Sequence, residues 1–100
     1  MILIYIPNPN LKTAQKIARH LLNKKLIACA NIFPINSIYR WQKKIVDDKE
    51  VVLLSKTLAK NWPKIKKEVL KIHPYELPCL LKLKIETNES FAKWLWREVK

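Results

Sequence analysis

The sequence predicts an α+β fold in which two helices lie on one face of an antiparallel sheet. Three observations predict it. Short apolar runs bounded by turn residues alternate with stretches whose apolar residues recur at helical spacing. Two extended runs follow one another around the polar Gln42-Lys43-Lys44, with no helix between them. The 100 residues, 49% of them apolar, suffice for one core, so a single domain spanning 1–100 is expected.

Ile2-Leu3-Ile4-Tyr5-Ile6 is a continuous apolar run stopped by Pro7, the mark of a central strand covered on both faces. Asn8 is placed to cap a helix whose first position is Pro9, and Leu11, Ala14, Ile17, Ala18, Leu21 and Leu22 form its apolar face as far as Lys24-Lys25. His20 falls on the opposite, solvated face. Residues 26–33 return to a buried extended pattern, which Pro34 bends before it resumes through Ile38, Tyr39 and Trp41. Beyond the turn, Ile45-Val46 and Val51-Val52-Leu53-Leu54 make the third strand, with a charged interruption at Asp47-Asp48-Lys49. Together the two strands form one long hairpin.

Asn61 is positioned to cap a second helix carrying Trp62, Ile65, Val69 and Ile72, which Pro74 ends at His73. Residues 79–85 read as the fourth strand, with Cys79 buried and Lys82 and Lys84 on a wet face. Asn88 caps a last helix with Phe91, Trp94, Leu95 and Val99 on one side. Trp96 then lies about 200° around from Trp94, exposed or against another partner.

The order β-α-β-β-α-β plus a terminal helix is the ferredoxin-like split-βαβ arrangement. Its usual strand order, 4-1-3-2, puts the second and fourth strands on opposite edges, about 14 Å apart, so a Cys29–Cys79 disulfide within one chain is not expected. The topology hosts unrelated functions. Long hairpin arms and the spare Trp96 point to self-association, because overhanging edges invite strand pairing between subunits.

Twenty Lys and Arg stand against eight Asp and Glu, a net charge of +12. That balance attracts nucleic acid or acidic lipid nonspecifically, but the lysines are scattered through the whole chain, as solvated surface residues are. The opening apolar run falls far short of the roughly 20 residues of a membrane span, and no basic segment precedes it, so neither a membrane partner nor a secretion signal is expected. Two cysteines without such a signal read as reduced thiols, and a cytoplasmic location follows.

Several segments, in order, resemble the CutA divalent-cation-tolerance family: Ala28-Cys29-Ala30-Asn31-Ile32, Ile38-Tyr39-Arg40-Trp41, Lys56-Thr57, His73-Pro74-Tyr75-Glu76-Leu77-Pro78 and Trp94-Leu95. The match extends over nearly the whole chain. It implies a ferredoxin-like fold, a homotrimer built by strand pairing between subunits, and a link to copper and other divalent cations, with no known reaction. Two departures stand out. Lys43 occupies the hairpin tip where the family carries Gly, so a longer or differently shaped turn is expected, and Arg40 replaces a common aromatic. The resemblance also implies thiol and imidazole ligands for copper, for which this chain offers Cys29 and His73, with Glu76 as a nearby carboxylate. Thiolate and imidazole suit copper, and Zn(II) accepts all three groups. Tyr39, Trp41, Lys56, Tyr75 and Trp96 are the candidate interface or pocket residues.

The function expected is thus metal tolerance or response by weak binding of Cu(II) or another divalent cation, with no organic cofactor and no catalysis. No Ser-His-Asp order, phosphate-cradling glycine loop or His pair at i, i+4 is present, and the best catalytic option is a Cys29 thiol activated by His73 where the two meet at a subunit interface. Two alternatives belong to other classes. Ile4-Tyr5-Ile6-Pro7-Asn8 approximates the first motif of an RNA-recognition module, but Val51-Val52-Leu53-Leu54 lacks the aromatics of the second. A PII-like trimeric sensor would bind an anionic small molecule between subunits through Lys56, Tyr39 and Glu76.

Overall fold

The computed structural model describes residues 1–100. The elements run β1 (Ile2–Asn8), α1 (Leu11–Asn23), β2 (Cys29–Trp41), β3 (Lys44–Thr57), a 3-10 turn (Ala59–Asn61), α2 (Trp62–Ile72), β4 (Leu81–Lys84) and α3 (Glu89–Glu98). One antiparallel sheet has the order β2-β3-β1-β4, which is the ferredoxin-like arrangement with β2 and β4 on opposite edges. Both long helices cover the same face. Ile2, Ile4 and Ile6 of β1 and Leu53 of β3 pack against Ala14, Ile17, Ala18 and Leu21 of α1 and Ile65 and Val69 of α2.

The first strand is not sealed on both sides. Its burial alternates, with Ile2, Ile4, Ile6 and Asn8 buried and Leu3, Tyr5 and Pro7 half-buried. Since directly paired residues share a face, Leu3 and Tyr5 join Leu54 of β3 and Leu81 and Leu83 of β4 on the side away from α1 and α2. Leu81 and Leu83 remain 52% and 56% exposed. β4 is shorter than residues 79–85 and exposed on both faces, and Cys79 before it is exposed rather than buried.

Helix entry also differs from expectation. Asn8 belongs to β1, where its Nδ2 donates to the carbonyls of Ile6 (2.8 Å) and Val51 (3.1 Å). The cap of α1 is Asn10, whose Oδ1 accepts the N–H of Thr13 at 2.8 Å. Asn61 does not cap α2 through its side chain; its Nδ2 donates to Leu26 O and Thr57 Oγ1, and Thr57 Oγ1 itself donates to Leu26 O. These buried bonds tie the α1–β2 connection to the end of β3. His20 leans toward Glu68 of α2, with Nε2 3.7 Å from Oε1, and is partly covered.

Pro34 does not bend the second strand. It pairs with Val51 in an unbroken ladder, because β2 is an edge strand, where a missing N–H removes no bond to a further neighbour. β3 likewise runs through Asp47-Asp48-Lys49 without interruption. The ladder extends from Cys29↔Lys56 to Trp41↔Lys44, whereas β1 ends opposite Val51. The pairs from Ile35↔Glu50 outward therefore form a free-standing two-stranded arm. Its turn is tight: Gln42 and Lys43 take φ of 49° and 66°, the left-handed pair of a two-residue hairpin that matches strand twist, even without glycine. The arm stretches the molecule to 45 × 25 × 21 Å, with a radius of gyration of 14.1 Å. A compact chain of this length has about 13 Å.

At the C-terminus, Leu95 and Val99 are buried, Phe91 packs on Trp94, and Trp96 is 65% exposed with Lys60 Nζ 5.6 Å from its ring centre.

Candidate functional site

Helix α2 stops where Pro74 forbids another turn, and the stop orients a histidine. The N–H of His73 closes the helix on Val69 O at 2.8 Å, after which its backbone turns extended. Its Nδ1 accepts the N–H of Tyr75 at 3.2 Å, which assigns the ring proton to Nε2, 2.9 Å from Pro7 O. That carbonyl is available because β4 pairs with β1 only from Ile2 to Tyr5. Both ring nitrogens of the buried imidazole are thus committed, and the residue fixes the 73–78 turn against β1.

Tyr75 stands edge-on to His73 with ring centres 4.8 Å apart, and its hydroxyl donates to Glu50 Oε2 at 2.5 Å. Burial, followed by that bond and the Glu50 charge, pushes the phenol well above its ordinary pKa, so it remains a neutral donor. Across the gap, Tyr39 on the arm donates to Asp48 Oδ2 at 3.1 Å, a bond that raises its pKa before burial adds to the effect. Between arm and turn lies a groove of about 540 Å³. Tyr39 and Trp41 line it from the arm and Tyr75, Glu76, Leu77 and Cys79 from the turn, with Pro7 and Glu50 also on its wall.

The structure thus brings together Tyr39, Trp41, Tyr75 and Glu76, and leaves the other candidates elsewhere. Lys56 donates to Asn31 Oδ1 at 2.7 Å and lies 3.7 Å from Cys29 Sγ. The Cys29↔Lys56 pair sits in register with Leu3, whereas His73 bonds to Pro7. Four residues along β1 and two strands across correspond to about 13 Å and about 10 Å. Cys29 and His73 therefore do not meet within one chain, nor does Lys56 join Tyr39 and Glu76. Trp96 lies on α3, off the groove. No three His, Cys, Asp or Glu side chains converge as a metal-binding group. Among the lining residues that the motifs do not single out, Glu50 is hidden in a charge run whose alternation gives it the same face as Tyr39, and Cys79 reads as the start of a buried strand.

The charge of the groove opposes that of the chain. Asp48 behind Tyr39, Glu50 and Glu76 outnumber Arg40, the one cation on the wall, in a protein of net charge +12.

Residues 2–98 match the family model described as CutA1 divalent ion tolerance protein. The chain is 37% identical over 101 residues to the divalent-cation tolerance protein CutA of Pyrococcus horikoshii, covering 100% of this chain and 99% of that protein. It is 42% identical over 100 residues to that of Thermotoga maritima, covering 99% of each. Among solved structures, CutA1 of Pyrococcus horikoshii superimposes with a TM-score of 0.96 at 36% identity, over 100% of this chain and 99% of that one. The PII-like protein CutA of Nostoc gives 0.92 at 25% identity, over 100% and 98%. No helix of this chain is long and apolar enough to cross a membrane.

Proposed function

This chain belongs to the CutA1 divalent ion tolerance family, and on that premise we propose that it acts in divalent-cation tolerance as a homotrimer that binds rather than transforms its ligand. The observation that carries the assembly is the free-standing arm. An isolated two-stranded ribbon is at best marginally stable in water, yet this one holds Ile38 and Ile45 at 70% exposure each. Apolar Leu81 and Leu83 are exposed at the other edge of the sheet. Edge-to-edge pairing between subunits covers both. Light scattering is expected to give three times the 11.9 kDa chain mass, and a monomer at micromolar concentration overturns the assembly.

For the cation, we propose weak binding of Cu(II) or a related divalent ion, with Cys29, His73 and Glu76 as the donors to test. Because Cys29 stands apart from His73 in one chain, a site that uses both must draw on neighbouring subunits: Cys29 begins the strand on one sheet edge, and Glu76 precedes the strand on the other. Binding at His73 further requires giving up one of its two ring hydrogen bonds. Calorimetric titration of Cu(II) into wild type, Cys29→Ser and His73→Ala decides this, since identical isotherms exclude both residues as ligands.

A non-enzymatic role is supported by the separation of Cys29 from His73, which removes the thiol–imidazole pair within a chain. Cytoplasmic residence is proposed from the two free thiols, and recovery of the protein from an exported fraction overturns it. A second reading, a trimeric sensor of the PII-like kind, is favoured by the groove under the arm.

A further inference from the structure

We infer that the groove between the arm and the 73–78 turn is a binding site for an organic cation with an alkylammonium head. The inference rests on the sensor reading of this groove and replaces the anionic ligand expected for it, since Lys56 lies with Cys29 and Asn31 and not on the groove wall.

Three observations carry it. The cavity, about 540 Å³, falls in the range of small-molecule sites, roughly 300–1,000 Å³, and presents three aromatic rings: Tyr39, Trp41 and Tyr75. Both tyrosine hydroxyls are held by carboxylates, Tyr39 on Asp48 and Tyr75 on Glu50, so the rings are fixed in place and negative charge stands behind them. Glu76 adds a further carboxylate, against Arg40 as the opposing charge.

The third observation is which aromatic rings carry a cation from their own chain. Lys66 and Lys82 lie 5.3 and 5.6 Å from the ring centre of Trp62, Lys60 lies 5.6 Å from that of Trp96, and Lys56 lies 6.0 Å from that of Phe91. An ammonium within about 6 Å of a ring centre is attracted by the negative π-face. In a chain with 20 Lys and Arg, the three groove rings carry no such partner from their own subunit; Tyr5, Phe33 and Trp94 carry none either, and what sets the groove rings apart is the carboxylates beside them. They are aromatic rings without a cation, beside carboxylates in a basic protein.

A bare divalent ion suits this wall less well. Aromatic faces are not ligands for it, one oxygen of Glu50 is already taken by Tyr75, and no third donor converges. An anion meets three carboxylates. An alkylammonium uses both features, with its charge over the rings and its methyl or methylene groups filling apolar space beside Leu77.

Choline, its uncharged isostere 3,3-dimethylbutan-1-ol and inorganic phosphate are the probes, titrated by calorimetry into the intact protein while light scattering records the assembly state. Choline is expected to bind, the isostere at least about tenfold more weakly, and phosphate not at all. Trp41→Leu removes a ring at the exposed end of the arm and is expected to weaken choline about tenfold. Glu50→Gln keeps an acceptor for Tyr75, removes one charge, and is expected to weaken choline several-fold. Equal binding of choline and the isostere overturns the inference, as does preferential binding of phosphate. Absence of choline binding in a sample of trimer mass overturns it too, including the case in which a second copy fills the groove with its own side chain, and leaves the assembly reading standing. A monomer that binds choline sinks the assembly and not the site.

Discussion

Leu53 and Ile45 lie on the same strand, yet Leu53 is fully buried and Ile45 is 70% exposed. The backbone at the two positions is alike, since both are in register with β2, Leu53 opposite Ile32 and Ile45 opposite Arg40. What differs is the third layer. At Leu53 the helices α1 and α2 close over the sheet; at Ile45 nothing in the chain does. Strand pairing alone therefore does not distinguish a finished part of this molecule from an unfinished one, and coverage of the apolar side chains does.

The comparison breaks if Leu53→Ala and Ile45→Ala behave alike. Leu53→Ala is expected to cost about 2–5 kcal/mol in denaturant unfolding, at every protein concentration, because it leaves a cavity in a closed core. Ile45→Ala is expected to lower only the concentration-dependent part of stability, read as an unfolding midpoint that falls more steeply on dilution than that of wild type. Next in size is the anchor between the body's connections. Asn61→Ala leaves Leu26 O with one donor fewer and is expected to cost about 1–3 kcal/mol by the same unfolding measurement.

At the arm's tip, Lys43→Gly relieves a left-handed backbone and is expected to stabilise the assembled protein by about 1 kcal/mol; no gain in unfolding midpoint counts against the turn geometry. The smallest effect sits on the body's outer surface, where Glu68 takes Lys24 at 2.7 Å and Lys71 at 3.6 Å. The hydrogen bond from Lys24 holds the carboxyl below its ordinary pKa, with the charges of Lys24, Lys71 and His20 adding to it. A depressed folded-state pKa contributes stability above the unfolded value, near 4.5, and loses it as pH falls through the folded value. Glu68→Gln is therefore expected to lose a little stability near neutrality and to flatten the acid limb of a stability–pH profile, with the two profiles meeting at low pH.

The elements and their order were legible because the body obeys simple periodicities. Ala14, Ile17, Ala18 and Leu21 repeat at helical spacing, and the hairpin announces itself at Gln42-Lys43. Legibility failed where one signal served two causes. Leu3 and Tyr5 are apolar although they lie away from α1 and α2, so β1 read as sealed on both sides. Asn8 before a proline has the look of a cap, but a buried amide satisfying two strand carbonyls has the same sequence signature. Four of the eleven residues lining the groove, Tyr39, Trp41, Tyr75 and Glu76, were legible as residues of recognisable motifs. The rest depends on cross-strand distance: Glu50 meets Tyr75 across 25 residues, and Cys29 parts from His73 by strand order. No local pattern encodes either.

The sheet ends in two unlike edges, a long one at β2 and a short one at β4. Joining unlike edges is a head-to-tail contact, which has no twofold axis and stops growing only when the rotation per subunit closes a circle. The same chemistry that completes a small ring would, with a slightly different angle between neighbours, propagate without end. In the proposed assembly, the bend and twist of thirteen residues of edge strand would thus decide between a finite particle and a fibre.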